Sequence, residues 1–176
     1  MSEPHVVGLS GSARSPSNTG VLVETMLDEV EAYGATTDHI DLAAYGLPVL
    51  NLERDTPAEV SEFTERVEQA DALVAGTPMY HGSYSGVLKN AIDHCGFDEI
   101  EGTDVALAVV SGGRFPRVAV EHLRTVFSTL DARVFRSNVI VPNTSENFTA
   151  DGAWNNENLE QRARRIAVEL YEKTSR

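Results

Sequence analysis

Five short apolar runs, separated by amphipathic stretches of helical period, constrain this chain most. They are HVVGLS (5–10), TTDHIDL (36–42), ALVAGT (72–77), DVALAVVS (104–111) and ARVFRSNVIVP (132–142). Continuous Val/Ala/Leu runs describe strands buried on both faces, which means a parallel sheet covered by helices on both sides. Between them, SNTGVLVETMLDEVEAYG (17–34) carries Val21, Leu22, Thr25, Met26, Glu29 and Val30 at helical spacing and stops at Gly34. TPAEVSEFTERVEQA (56–70) predicts a helix with Thr56 as N-cap and Pro57 at its first position. YSGVLKNAIDHCG (84–96) and PRVAVEHLRTVFSTLD (116–131) give two more helices, NTSENFTADGAWNN (143–156) a polar loop, and the remaining residues a closing helix. No linker or repeat interrupts the pattern. The expectation is a single α/β domain over residues 1–176: a doubly wound five-stranded parallel sheet in three α/β/α layers. The common strand order for that architecture is 2-1-3-4-5, with ligands at the carboxyl ends of strands 1, 3 and 4.

Those ends are therefore where chemistry is sought. After strand 1, SGSARSPSNT (10–19) offers hydroxyls from Ser12, Ser17 and Thr19, an amide from Asn18 and a guanidinium from Arg14. Ser17, Asn18 and Thr19 open a helix, where unpaired N–H groups and the helix dipole favour an anion. The Walker lysine and the Ser/Thr after it are missing, so the chemistry suits a terminal phosphomonoester rather than a triphosphate. The alternative is a Ser-capped turn. After strand 3, TPMYHGSYSGVLKN (77–90) offers Tyr80, His81 and Tyr84 to flank a flat ring, or forms only a tight turn. After strand 4, VVSGGRF (109–115) leaves room beside Gly112 and Gly113 for a ring or a polyol chain; Arg114 is either a surface charge or a partner for phosphate. Together the three loops suit a mononucleotide with a large flat ring.

Charge and cysteine content narrow the classes. The net charge of −13 opposes nucleic acid and anionic membrane surfaces, both of which need a basic face. Only two of the 14 basic residues are lysines, Lys89 and Lys173, and the acid excess is spread along the chain, which suggests a halophilic surface, with an ordinary acidic enzyme as the alternative. No apolar run reaches the roughly 18 residues of a membrane span and the first residues lack a signal-peptide pattern, so a cytoplasmic location is expected. The single Cys95 excludes an internal disulfide and reads as a small apolar residue; His5, His39, His94 and His122 share no metal spacing, so no metal is expected.

The motifs carry a resemblance. GSARSPSNT is similar to the G-S-x-R-x-x-S-N-T phosphate loop of the NADPH-dependent FMN reductase family, and TPMYHGSYSGVLKNAID to its T-P-x-Y-x-x-S-x-x-G-x-L-K-N-x-x-D signature. SGG after strand 4 matches the third flavin loop. The resemblance covers roughly residues 5–140 and implies a flavodoxin-like fold. It implies that Ser12, Arg14, Ser17, Asn18 and Thr19 hold the FMN phosphate. Pro78, Met79, Tyr80, His81 and Ser83 would line the isoalloxazine, and Ser111, Gly112 and Gly113 would meet its other edge. Many family members carry Glu and Asn where this chain has Met79 and His81, which bears on side-chain contacts and substrate preference. Lys89 and Asp93 match the signature inside a helix and read as structural or interface residues.

The implied activity is hydride transfer from NADPH, with NADH as the other donor, to FMN and on to a flavin, quinone or similar small-molecule acceptor; related members reduce quinones, azo dyes or chromate. The form of the second motif is especially similar to the FMN reductases that serve alkanesulfonate monooxygenases. The flavin carries the chemistry, so no catalytic side chain is nominated. A homodimer or homotetramer is implied, with helix 84–96 as its interface. Two other classes compete: a flavodoxin-type electron carrier that binds FMN without oxidising NAD(P)H, and a hydrolase or phosphatase on the same fold. The second lacks a C-x₅-R loop and any Asp-x-Asp after strand 1.

Overall fold

The computed structural model describes residues 3–113 and 115–175; Arg114 lies outside the described residues. Five strands, β1 (His5–Ser10), β2 (Thr36–Asp41), β3 (Ala72–Pro78), β4 (Asp104–Val110) and β5 (Arg133–Val141), form one all-parallel sheet in the order β2-β1-β3-β4-β5. The expected flavodoxin-like order is the observed one. Among the described residues eight helices connect and flank them: α1 (Asn18–Ala32), α2 (Leu42–Tyr45), α3 (Ala58–Glu68), α4 (Gly86–Asp93), α5 (Phe97–Ile100), α6 (Arg117–Ser128), α7 (Thr144–Asn147) and α8 (Glu157–Thr174).

Strand periodicity divides the core in two. On β4, Val105, Leu107 and Val109 join the cluster that includes Phe63 of α3, Leu88 of α4 and Leu123 of α6, while Ala106, Ala108 and Val110 face the cluster of Leu22 and Met26 of α1 with Ile166 and Leu170 of α8. The small side chains on the second face let α1 ride close to the sheet. Gly76 shows how close: a Cβ there would stand 2.3 Å from Val23 Cγ2 of α1. That approach brings the N-terminus of α1 under the loop that follows β1.

Two local expectations change. The helix of residues 58–68 has Pro57, not Thr56, as its N-cap: Pro57 has the extended backbone of a cap (φ −63°, ψ 153°), and its carbonyl accepts the first bonds, from Val60 and Ser61. Residues 143–156 are more ordered than a polar loop. They hold the single turn of α7 and an antiparallel bridge between Phe148 and Trp154. No helix among the described residues is long and apolar enough to cross a membrane.

Candidate functional site

The loops after β1, β3 and β4 converge on a cleft of about 700 Å³ at the carboxyl edge of the sheet. Its first wall holds Ser12, Arg14, Asn18 and Thr19. Ser17 does not line it: its hydroxyl caps α1 by accepting from Gly20 N at 3.0 Å. It builds the wall instead of facing the cleft. Ser12 Oγ accepts from Arg14 N at 3.3 Å, which turns the loop toward the helix end. Thr19 is 1% exposed, and its hydroxyl has no hydrogen-bond partner among the described residues. A buried hydroxyl without a partner is costly, and this one sits on the cleft wall beside an arginine. Arg14 itself forms no ion pair with a described residue. This wall fits an anionic group.

The second wall is Pro78, Met79 and Tyr80. Met79 N donates to Val110 O at 2.7 Å, so the chain leaves β3 tied to β4. Tyr80 and Ser83 then exchange backbone bonds at 2.9 and 3.0 Å around a two-residue turn. His81 (φ 49°) and Gly82 (φ 83°) occupy its centre, the left-handed pair of a type I′ turn. Glycine adopts that conformation freely; histidine does so at a cost that asparagine would largely avoid. The turn carries His81 and Ser83 away from the cleft. His81 is exposed, and Ser83 Oγ pairs with His122 Nδ1 of α6 at 3.2 Å. Of the five residues expected on this wall, three are on it.

The third wall is Val110, Ser111, Gly112 and Gly113. Ser111 is buried and its Oγ accepts from Gly113 N at 3.0 Å, holding the double-glycine bend open. A Cβ at Gly112 would meet nothing within 4 Å, so the space beside it is free.

A fourth wall was not expected. Pro16 at the phosphate-loop end, and Thr144, Ser145, Phe148, Thr149 and Ala150 from the segment after β5, complete the cleft. The only sequence signal was an aromatic pair, Phe148 and Trp154, inside an otherwise polar stretch. No group of three or more His, Cys, Asp or Glu able to hold a metal occurs among the described residues.

The family model for NADPH-dependent FMN reductase matches residues 4–146, most of the chain and three of the four walls. The chain belongs to the NADPH-dependent FMN reductase family. It is accordingly an oxidoreductase that uses FMN and a nicotinamide donor. Among similar proteins, the FMN-dependent NADPH-azoreductase of Staphylococcus haemolyticus (strain JCSC1435) is 37% identical over 126 residues, covering 68% of this chain and 67% of that protein. The corresponding protein of Staphylococcus aureus (strain USA300) is 34% identical over the same length. Two solved structures share the fold of this FMN reductase. The flavoenzyme NAD(P)H:(acceptor) oxidoreductase FerB of Paracoccus denitrificans superposes with a TM-score of 0.81 at 23% identity, covering 98% of this chain and 97% of that one. The NAD(P)H:quinone oxidoreductase of Methanothermobacter marburgensis gives 0.75 at 19% identity, covering 96% and 98%.

Proposed function

We propose that the four-walled cleft holds FMN with its phosphate on residues 12–19 and its ring between the loops after β3 and β4. Arg14 provides the charge-assisted bond to the phosphate, and the Thr19 hydroxyl, Asn18 and the first amides of α1 complete its ligation. Ser12 and Ser17 shape that loop through their backbone bonds. Pro78, Met79 and Tyr80 form one side of the ring's slot; Ser111, Gly112 and Gly113 form the other. The amides of Met79 and Tyr80 are already bonded within the protein, so polar contact with the ring edge falls to the loop at Gly112. His81 and Ser83 support the turn without touching the ring. The observation that carries this reading is the convergence, on one cleft of mononucleotide size, of a buried hydroxyl and a guanidinium that have no partner among the described residues.

Bound FMN supplies the two-electron acceptor for hydride. The chain's own work is to orient the ring, keep one face open to NADPH or NADH, and exclude no more solvent than ring binding requires. No side chain of the cleft is needed as an acid or base for the hydride step. The staphylococcal relatives are named for azo reduction and the Methanothermobacter structure for quinone reduction. We take the same acceptor class, azo compounds and quinones, for this chain. Titration of the FMN-free protein with FMN, followed by anaerobic mixing with NADPH and with NADH, tests the reading. The expected result is saturable binding and bleaching of the flavin band; bound flavin that NAD(P)H does not bleach would favour an electron carrier.

A second copy is the proposed partner. Val49, 84% exposed, lines an apolar groove of about 400 Å³ together with Leu42 of α2, Leu47 and Val87 of α4, and Leu52, 89% exposed, follows three residues later. An exposed apolar patch of this kind suits a self-complementary two-fold interface. Sedimentation of the wild type and of Leu52→Asp distinguishes a dimer or tetramer from a monomer. The acid excess supports a cytoplasm rich in salt as the setting, and unfolding midpoints that rise with KCl are the expected outcome.

A further inference from the structure

The segment 143–156 is held to the rest of the site at both ends. At one end Thr144 N donates to Ser111 O at 3.0 Å and Asn143 N to Gly113 O at 3.2 Å, which fixes it to the loop after β4. At the other, Gly152 lies against the phosphate loop, where a Cβ would stand 3.4 Å from Pro16 Cβ. Trp154 pins the middle. Its Nε1 donates to Thr25 Oγ1 of α1 at 2.9 Å, and its ring packs on Phe148 with centroids 4.5 Å apart. Phe148 is 4% exposed and lines the cleft. The segment therefore spans the stretch between the wall assigned to the phosphate and the wall assigned to the ring. In a flavin mononucleotide that stretch is occupied by the sugar alcohol.

The chemistry of the segment agrees. Its cleft-lining residues are Thr144, Ser145, Phe148, Thr149 and Ala150. Thr149 Oγ1 is committed to the turn, bonding Ala153 N at 2.9 Å and Ala153 O at 3.2 Å. The hydroxyls of Thr144 and Ser145 have no bond to another described residue. The segment's only charges are the carboxylates of Glu146 and Asp151, which oppose a second phosphate such as that of a dinucleotide. Neutral hydroxyls over an apolar floor match a polyol.

We infer that residues 143–156 are the polyol arm of the site, with Thr144 and Ser145 bonding the sugar-alcohol chain of the mononucleotide and Trp154 as the positioning residue. The inference rests on the flavin reading.

The test uses Trp154, the chain's single tryptophan, as its reporter. FMN and riboflavin are titrated separately into the FMN-free wild type and into three variants, following tryptophan emission and flavin anisotropy. The wild type is expected to bind FMN with quenching of Trp154; absence of FMN binding would sink the flavin reading itself. The double variant Thr144→Val/Ser145→Ala is expected to weaken FMN and riboflavin by the same factor, about tenfold for two neutral hydrogen bonds. Thr25→Val, which frees the pin without touching the cleft, is expected to weaken both ligands equally and to shift the Trp154 emission to the red. Arg14→Ala is expected to weaken FMN alone. A double variant that binds both ligands like the wild type, or that loses FMN while keeping riboflavin, would overturn the polyol assignment. Ser145→Ala alone, at an exposed position, carries the test if the double variant melts early.

Discussion

Ser85 Oγ donates to the Gly11 carbonyl oxygen at 2.6 Å and accepts from Leu88 N at 3.1 Å, so one buried hydroxyl caps α4 and ties it to the phosphate loop. The Ser85 amide in turn donates to Thr77 Oγ1 at 2.9 Å, and Thr77 donates to Pro78 O. The loops after β1 and β3 are thereby one unit. Ser85→Ala removes a cap and leaves a buried carbonyl without its donor, so a loss of about 2 kcal/mol in unfolding free energy is expected. Urea denaturation of the FMN-free protein measures it. FMN affinity should fall with it, because the Gly11 end of the phosphate loop is then free to move.

Arg14 is exposed and forms no ion pair with a described residue, so Arg14→Ala should leave the urea midpoint of the FMN-free protein unchanged. The charge-assisted bond is worth about 1.5–3 kcal/mol, or roughly 10- to 100-fold in the dissociation constant for FMN. Arg14→Lys keeps the charge but loses the planar fork and should fall between. Equal FMN affinity in wild type and Arg14→Ala would remove the phosphate from this loop.

The strand order and the three converging loops were legible because both depend on rules that act locally; the cleft positions of Pro78, Met79 and Ser111 came from the family resemblance. Runs such as ALVAGT are too apolar for any position but a buried parallel strand, and once the order is set, the loops after β1, β3 and β4 must meet. What escaped depends on contacts distant in sequence or on backbone sign. His81 and Ser83 left the wall because two successive left-handed residues turn the chain outward, which the letters H-G permit without requiring. Ser17 read as a ligand residue because a cap and a phosphate contact use the same hydroxyl. The segment 143–156 has no period to read, and Trp154 finds Thr25 across 129 positions of sequence.

Cys95 tests whether the one thiol takes part in the chemistry. Burial pushes it up to about 12, with the charge of Glu99 adding to the effect, and Sγ donates to Ala91 O at 3.6 Å. A thiol so placed is not a thiolate at neutral or mildly basic pH. Dithionitrobenzoate at about pH 8 should release no colour from the folded protein and one equivalent after unfolding in guanidinium. Cys95→Ser should retain FMN binding and NADPH-driven bleaching, and loss of bleaching without loss of FMN would give the thiol a role.

Asp104 governs the acid limit. It opens β4 at the edge opposite the cleft with its side chain 2% exposed, and three cationic donors reach it: Arg133 Nε at 3.0 Å, Arg133 Nη2 at 3.1 Å and Lys173 Nζ at 2.9 Å. Burial by itself would raise its carboxyl, but the bonds from Arg133 and then Lys173 outweigh that and hold it below the usual carboxylate range. A carboxyl lowered by folding contributes stability above its unfolded value of about 3.9, and that contribution is lost as pH falls through the folded value. Asp38 acts with the same sign, because the bond from Arg66 lowers its carboxyl against the cost of burial. Asp104→Asn removes the contribution of Asp104. Both cations that serve Asp104 are half exposed, so solvent screens them and the expected loss at about pH 7 is about 1–3 kcal/mol rather than the larger cost of an enclosed pair. The gap between wild type and variant should narrow as pH falls below about 4 and close once the wild-type carboxyl is protonated in both states. Chemical denaturation across that range measures it, and a gap that does not change with pH would assign the loss to packing at the β4–β5 edge instead of to charge.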